Sequence, residues 1–312
     1  MAAGEMAIGV VSLSQVVFGV LGNTFLAYHY LFLYIMGYRL RFTDWILQHL
    51  VVANFLTLIY KGVPETMAAF GLKDFLDDFG CKLLFYLHRV GRGVSISSIT
   101  FLGMFQAITI SPKCLKWTKV KVKSPSCIAF CVYLSWILSF IANIGIPMNM
   151  TARWSQRNRT NLKEYGYCSA VYVDKTWSIL YAALLSSPDV LFMGLMLWSS
   201  GCIVYILYKH KQRMRHIHKS NMFLGSSPET RATRTILLLM STFVCFYALS
   251  SFLHACLALM DDPGWLLVSV ATVVSGCFPT MSPFLLMIPD SYENAFCLAC
   301  ARNRKNTHIG NK

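Results

Sequence analysis

Seven apolar runs, each long enough to cross a bilayer, divide this chain at about 7–35, 45–68, 81–110, 125–146, 177–208, 232–259 and 265–288. A bilayer core is about 30 Å thick and takes about 20 apolar residues to cross as a helix. Lipid offers backbone N–H and C=O groups no partner, so each run must satisfy its own by forming a helix. A mean hydropathy of +0.51, with 55% hydrophobic and only 13% charged residues, fits a polytopic membrane protein rather than a soluble globule. The expected fold is an all-α membrane protein, a seven-transmembrane helix bundle over residues 1–288 with a tail over 289–312. No basic leader precedes the first run, which reads as an uncleaved span.

The third run, Cys81 to Pro112, carries the most unusual residues for its setting. His88, Arg89 and Arg92 lie inside it. At roughly 100° per residue Arg92 falls near 40° and Arg89 near 100° from His88, so the three share one arc of a helix. Charged side chains are costly in lipid, which turns that arc toward protein or a water-filled cavity. Arg92 lies eleven residues below Cys81, or ~16 Å, and Asp189 twelve below Trp177, so the two stand at a similar depth. Opposite charges at one depth should pair. The alternative is that Arg89 or Arg92, with His88 beside it, holds an anionic group of a ligand. That role gains at Arg89, for which the sequence offers no partner.

The formal net charge is +14. Its distribution among short connections points to membrane topology rather than nucleic acid. Eighteen of the 28 Lys and Arg residues fall on one side of a seven-span chain: Arg39 and Arg41; Lys113 to Lys123; Lys209 to Arg234; and Arg302 to Lys312. That side is expected to be cytoplasmic, with the C-terminus there and the N-terminus outside. Asn158-Arg159-Thr160 is a glycosylation sequon in the outer loop after span four; Asn149-Met150-Thr151 is a second, close to the end of that span.

Eleven cysteines are present, most within apolar runs where they read as packing. Cys81 opens span three and Cys168 lies in the same outer loop as Asn158; if both face the oxidising side, a disulfide joins them. Other polar residues and prolines interrupt the spans: Asn23, Asn54, Lys61 and Glu65 flanking Pro64, Pro188 before Asp189, His254, Pro279 and Pro283. Asn23 and Asn54 are expected to hydrogen-bond between helices, and Gly91, Gly93 and Ser95 to let helices approach closely. In the tail, Ser291 caps a possible surface helix, and Cys297 and Cys300 are candidate palmitoylation sites.

The phrases His88-Arg89-Val90-Gly91-Arg92-Gly93-Val94-Ser95, Phe105-Gln106-Ala107-Ile108-Thr109-Ile110-Ser111-Pro112, Lys61-Gly62-Val63-Pro64, Arg231-Ala232-Thr233-Arg234-Thr235-Ile236-Leu237-Leu238 and Ser282-Pro283-Phe284 stand in the chain. Together they make it resemble a vomeronasal type-1 receptor over nearly its whole length. That family belongs to the seven-helix G-protein-coupled receptors. The rhodopsin-like Asp-Arg-Tyr is replaced near Gln106-Ala107-Ile108, the Asp of span two by Asn54, and Asn-Pro-x-x-Tyr by Ser282-Pro283-Phe284-Leu285-Leu286. The ionic lock and sodium site of rhodopsin-like receptors are therefore not carried over. The resemblance implies a Cys81–Cys168 disulfide and a glycan on Asn158. It also implies a plasma-membrane receptor of vomeronasal sensory neurons that detects a small organic pheromone or odorant and signals through an inhibitory-class heterotrimeric G protein. The ligand-pocket candidates are His88, Arg89, Arg92, Asp189 and His254; no cofactor, metal or nucleic acid is implied.

The alternatives are a bitter-taste-like chemoreceptor, against which the span-three phrase argues, and a small-solute transporter or channel. A transporter would show paired, internally repeated halves, and no such repeat is visible. No HExxH or GxSxG motif supports an enzyme. With Asn158 as the glycosylated residue, Asn158→Gln shifts the gel mobility of the expressed protein; a shift from Asn149→Gln instead would reassign the site.

Overall fold

The computed structural model describes residues 3–38, 40–72, 75–110, 125–152, 162–164, 167–171, 175–217, 228–259 and 265–287. The first span is α1 (Ala3–Ile35). The second comprises α2 (Phe42–Thr57), a π-helical turn (Leu58–Gly62) and α3 (Val63–Ala69). The third is α4 (Asp78–Ile110). Next come α5 (Pro125–Ala142) and the single turn α6 (Ile146–Asn149), then α7 (Lys175–Ile217), α8 (Pro228–Leu259) and α9 (Trp265–Leu286). Among the described residues, six spans are long and apolar enough to cross a membrane, and α5 is a shorter apolar helix. Large apolar side chains such as Leu21, Phe130, Val190 and Phe252 point outward, as a lipid-facing surface requires and a soluble one forbids.

The fourth span ends earlier than the expected 125–146. Asn143 turns its amide back onto the Ser139 carbonyl, and Gly145 and Pro147 follow. The fifth runs longer than 177–208. Lys, Arg, Gln and Met are good helix formers, and the basic stretch continues α7 to Ile217. One departure from all-α is a three-stranded antiparallel sheet, β1 (Met150–Ala152), β2 (Leu162–Glu164) and β3 (Cys168–Val171), in the order β1-β3-β2. Strands of three or four residues are too short to leave a period in the sequence. A disulfide ties Cys168, on the central strand, to Cys81 near the start of α4, with Cα atoms 5.9 Å apart. Tyr167, Phe75 and Phe85 cover it.

Helix α4 is the hub: it packs on α2, α5, α7 and α8, while α9 closes the ring against α1 and α8. Small residues set these distances. A Cβ on Gly91 of α4 would stand 3.0 Å from the Ala53 carbonyl of α2, and one on Gly22 of α1 would stand 3.0 Å from Pro283 of α9.

Pro64, Pro188 and Pro283 remove backbone donors from the spans, and each loss is met differently. Pro64 lacks the N–H that the Tyr60 carbonyl would accept, and its ring crowds that carbonyl. The chain widens just before it, and the Val63 N–H reaches back five residues to the Leu58 carbonyl. Pro188 frees the carbonyl of Leu184; the Ser187 hydroxyl next to it donates to that oxygen at 2.8 Å. Pro283 frees the carbonyl of Pro279. Here the donor comes from another helix: Asn23 Nδ2 of α1 reaches it at 3.0 Å and also bonds the Gly19 carbonyl at 2.7 Å.

The same region carries a second asparagine. Asn54 of α2 donates to Ser282 Oγ at 2.8 Å and accepts from Ser95 Oγ of α4 at 2.9 Å. Ser282 in turn lies 3.5 Å from the Pro279 carbonyl. Four helices are thus joined by one buried chain of hydrogen bonds, as expected for Asn23 and Asn54. Without Asn23 the Pro279 carbonyl keeps only the long 3.5 Å contact to the Ser282 hydroxyl, so the loss should cost about 0.5–1.5 kcal/mol. Asn23→Ala is therefore expected to lower the thermal midpoint of the purified protein. Pro283→Ala restores the missing N–H, so Asn23→Ala should cost less in that background; equal costs in both would overturn this account.

Candidate functional site

The polar arc of α4 faces inward. His88, Arg92 and Ser95, spaced i, i+4, i+7, meet a stripe on α8 with the same kind of spacing: Phe243, Phe246, Tyr247 and Ser250. Ser275, Phe278 and Pro279 of α9 and Thr57 of span two complete the wall of a cavity of ≈ 50 Å³. Phe243 meets Phe278 edge to face at 4.6 Å and stacks on Tyr247 at 5.6 Å, giving one rigid aromatic side. The opposite side is the polar edge of α4.

Arg92 is held by two groups. Its Nε lies 3.9 Å from Asp189 Oδ2 of α7, and its guanidinium carbon sits 4.6 Å from the centre of the Tyr247 ring. The Tyr247 hydroxyl donates to the same Asp189 oxygen at 2.7 Å. One carboxylate thus compensates the arginine and accepts from the tyrosine, and the tyrosine ring adds a cation–π contact. The pair is Coulombic rather than hydrogen-bonded, since 3.9 Å exceeds hydrogen-bond distance. Arg92 Nε is buried and makes no hydrogen bond among the described residues. The charge of Arg92 is thus balanced by Asp189, while the Nε donor itself is enclosed. Pro188 precedes Asp189, and the Ser187–Leu184 bond preserves the helix that presents the carboxylate.

A smaller chamber of ≈ 20 Å³ adjoins this one, with Thr57 and Ser275 lining both. It lies between α1, span two and α9. Lys61, in the π-helical turn, donates to Ser275 Oγ at 2.7 Å and stands 3.8 Å from Glu65 Oε1 one turn on. Gln15 of α1 borders the chamber and donates to the Val273 carbonyl and to Cys277 Sγ of α9.

Of the residues singled out in the sequence, His88 and Arg92 line the main cavity, and Asp189 meets Arg92 from α7. Arg89 is half-buried on α4, is not in that wall, and is engaged within the fold rather than lacking a partner. The backbone of His254 belongs to α8, nearly two turns beyond Tyr247; its side chain lies outside the described residues. Asn158, Cys297, Cys300 and Ser291 also lie outside them. Tyr247, Phe243, Phe278, Thr57 and Ser275 were not singled out. A signal for the first existed: a tyrosine inside an apolar helix needs a partner for its hydroxyl, and the Asp189 carboxylate, already expected to face Arg92, has acceptor sites for a second donor.

Comparison with known proteins bears on the whole assembly. Residues 6–299 match the vomeronasal organ pheromone receptor family. The chain is 51% identical over 302 residues to vomeronasal type-1 receptor 4 of Homo sapiens, covering 97% of this chain and 100% of that one. It is 48% identical over 298 residues to vomeronasal type-1 receptor 2 of Homo sapiens, covering 95% of this chain and 75% of that one. More distantly, it is 30% identical over 280 residues to olfactory receptor class A-like protein 1 of Danio rerio, covering 89% and 88%. A ring of apolar helices around a charged third span, in a chain that the family's pattern matches over residues 6–299 and these relatives over 89–97% of its length, places it in the vomeronasal type-1 receptor family.

Proposed function

We propose that this chain is a plasma-membrane receptor that binds a small organic pheromone or odorant between α4, α8 and α9 and activates an inhibitory-class heterotrimeric G protein. The observation that carries the reading is the cavity beside Arg92, walled by aromatic rings on one side and a polar arc on the other. Ligand sites are largely apolar with a few fixed polar groups that set orientation, and this wall has that composition. Its place on the hub helix matters too. A ligand that spreads α4 from α8 or α9 disturbs several packed interfaces at once, which is how a bundle converts binding into a change of state.

Residues 1–288 form the receptor domain in this reading, with the N-terminus outside and 289–312 as a cytoplasmic tail. The Lys and Arg excess then lies inside. The disulfide and the Asn158 sequon lie on the oxidising side. Ligand-dependent nucleotide exchange on a purified G protein tests the proposal in membranes carrying this chain, screened with volatile and steroid-like compounds. Ligand-dependent solute flux without exchange would favour a transporter or channel.

The Arg92–Asp189 pair makes its own prediction. Removing one partner of a fully buried pair costs about 3–5 kcal/mol. Both side chains here keep some exposure, at 22% and 13%, so the loss should be smaller. Arg92→Ala and Asp189→Ala are each expected to reduce surface expression, and the double mutant to recover part of it. Normal expression of Arg92→Ala with a selectively weaker response to anionic agonists would reassign Arg92 to the ligand; unchanged expression and response would remove it from both roles.

A further inference from the structure

We propose that the small chamber at Lys61 is a second part of the ligand site and accepts a single uncharged oxygen, a carbonyl or a hydroxyl, carried by a molecule whose apolar body lies in the neighbouring aromatic cavity. This inference rests on the reading that a small molecule enters the bundle.

Size sets the first limit. A chamber of ≈ 20 Å³ holds one water-sized group, since a single water needs about 10–15 Å³ of such space. Donor capacity sets the second. An ammonium carries three N–H groups. Ser275 Oγ takes one at 2.7 Å, and the Glu65 carboxylate at 3.8 Å balances the charge from beyond hydrogen-bond distance. Lys61 can therefore donate to another acceptor.

Charge sets the third. Glu65 already compensates Lys61, so an anion entering the chamber meets a carboxylate with no cation left over, and a cation meets the ammonium. A neutral oxygen meets neither penalty. Continuity sets the fourth. Thr57 and Ser275, two small hydroxyl residues, form the wall shared by the chamber and the cavity. In the proposed pose the molecule's body lies against Phe243 and Phe278 and its oxygen passes these two hydroxyls toward Lys61.

The π-helical turn, made where the chain widens ahead of Pro64, also positions the lysine. It inserts an extra residue into span two at Leu58–Gly62, and Lys61 is part of it. Such turns are frequent at functional sites. Here the turn sets the lysine that faces Ser275 of α9 and, through the following turn, Glu65.

The test uses full-length protein in nanodiscs, without G protein, and three probes of one shape: cyclohexanone, methylcyclohexane and cyclohexanecarboxylate. Cyclohexanone should raise the thermal midpoint saturably, and the other two should not. Its 13C-labelled carbonyl stretch should move to lower wavenumber when bound. Affinity should fall at least tenfold in Lys61→Met, with loss of the infrared shift. Because that variant leaves Glu65 uncompensated, Lys61→Met/Glu65→Gln is measured beside it, and the same loss is expected. No saturable response of the wild type would mean that the chamber holds water alone and would overturn the proposal. Equal binding by wild type and both variants, or tighter binding of the carboxylate, would overturn it as well. G-protein exchange is absent from this measurement, so failure here leaves the receptor reading standing and failure of exchange leaves this one standing.

Discussion

A carbonyl that loses its amide partner inside a bilayer has no water to turn to. Pro283 creates such a carbonyl at Pro279, and the Asn23 amide of α1 meets it. The rest of the bundle follows from this contact. It fixes α1 against α9, which closes the ring, and it demands the close approach that Gly22 permits beside Pro283. It also sets Ser282 where Asn54 can reach it, and Asn54 carries the connection through Ser95 to the hub helix. Pro188 offers the contrast. Its freed carbonyl is satisfied by the adjacent Ser187, within the same helix, so it imposes no tertiary contact and leaves α7 free to pack elsewhere.

The charged groups toward the disulfide end follow a related logic. Two cations inside the bundle each have a carboxylate within 4.0 Å: Asp189 for Arg92 and Glu65 for Lys61. Neither pair is drawn to hydrogen-bond distance. Charge is compensated while directional bonding capacity is only partly used, the combination a site needs if it must stay folded when empty and still recognise something. At the first pair the Tyr247 hydroxyl donates to the same Asp189 oxygen that stands 3.9 Å from Arg92 Nε.

Much of this was legible in the sequence because membranes make the rules strict. Span lengths follow from hydrocarbon thickness. The inward turn of the α4 arc follows from the cost of charge in lipid. Counting residues from Cys81 and Trp177 put Arg92 and Asp189 on one level, and they lie 3.9 Å apart. The misses have equally physical causes. The sheet at Cys168 rests on pairing between segments as far apart as Met150 and Ala170, which no local pattern encodes. The basic stretch after Tyr208 looks like a loop when charge is read as surface, yet its residues favour helix. Tyr247 was not singled out because an apolar run does not show which of its faces meets a partner; in the fold its hydroxyl reaches Asp189 across the bundle.

Helix α7 is 43 residues long, about 64 Å at the helical rise, roughly twice the hydrocarbon thickness. Pro188 sits in its first third, beside the Asp189–Tyr247 contact. From there to Ile217 is about 44 Å of rod, so tilting it by about 5° at the proline sweeps the far tip through about 4 Å. Geometry alone makes this helix a lever: a shift at Asp189 too small to break a hydrogen bond becomes, at the other end, a displacement as wide as an atom.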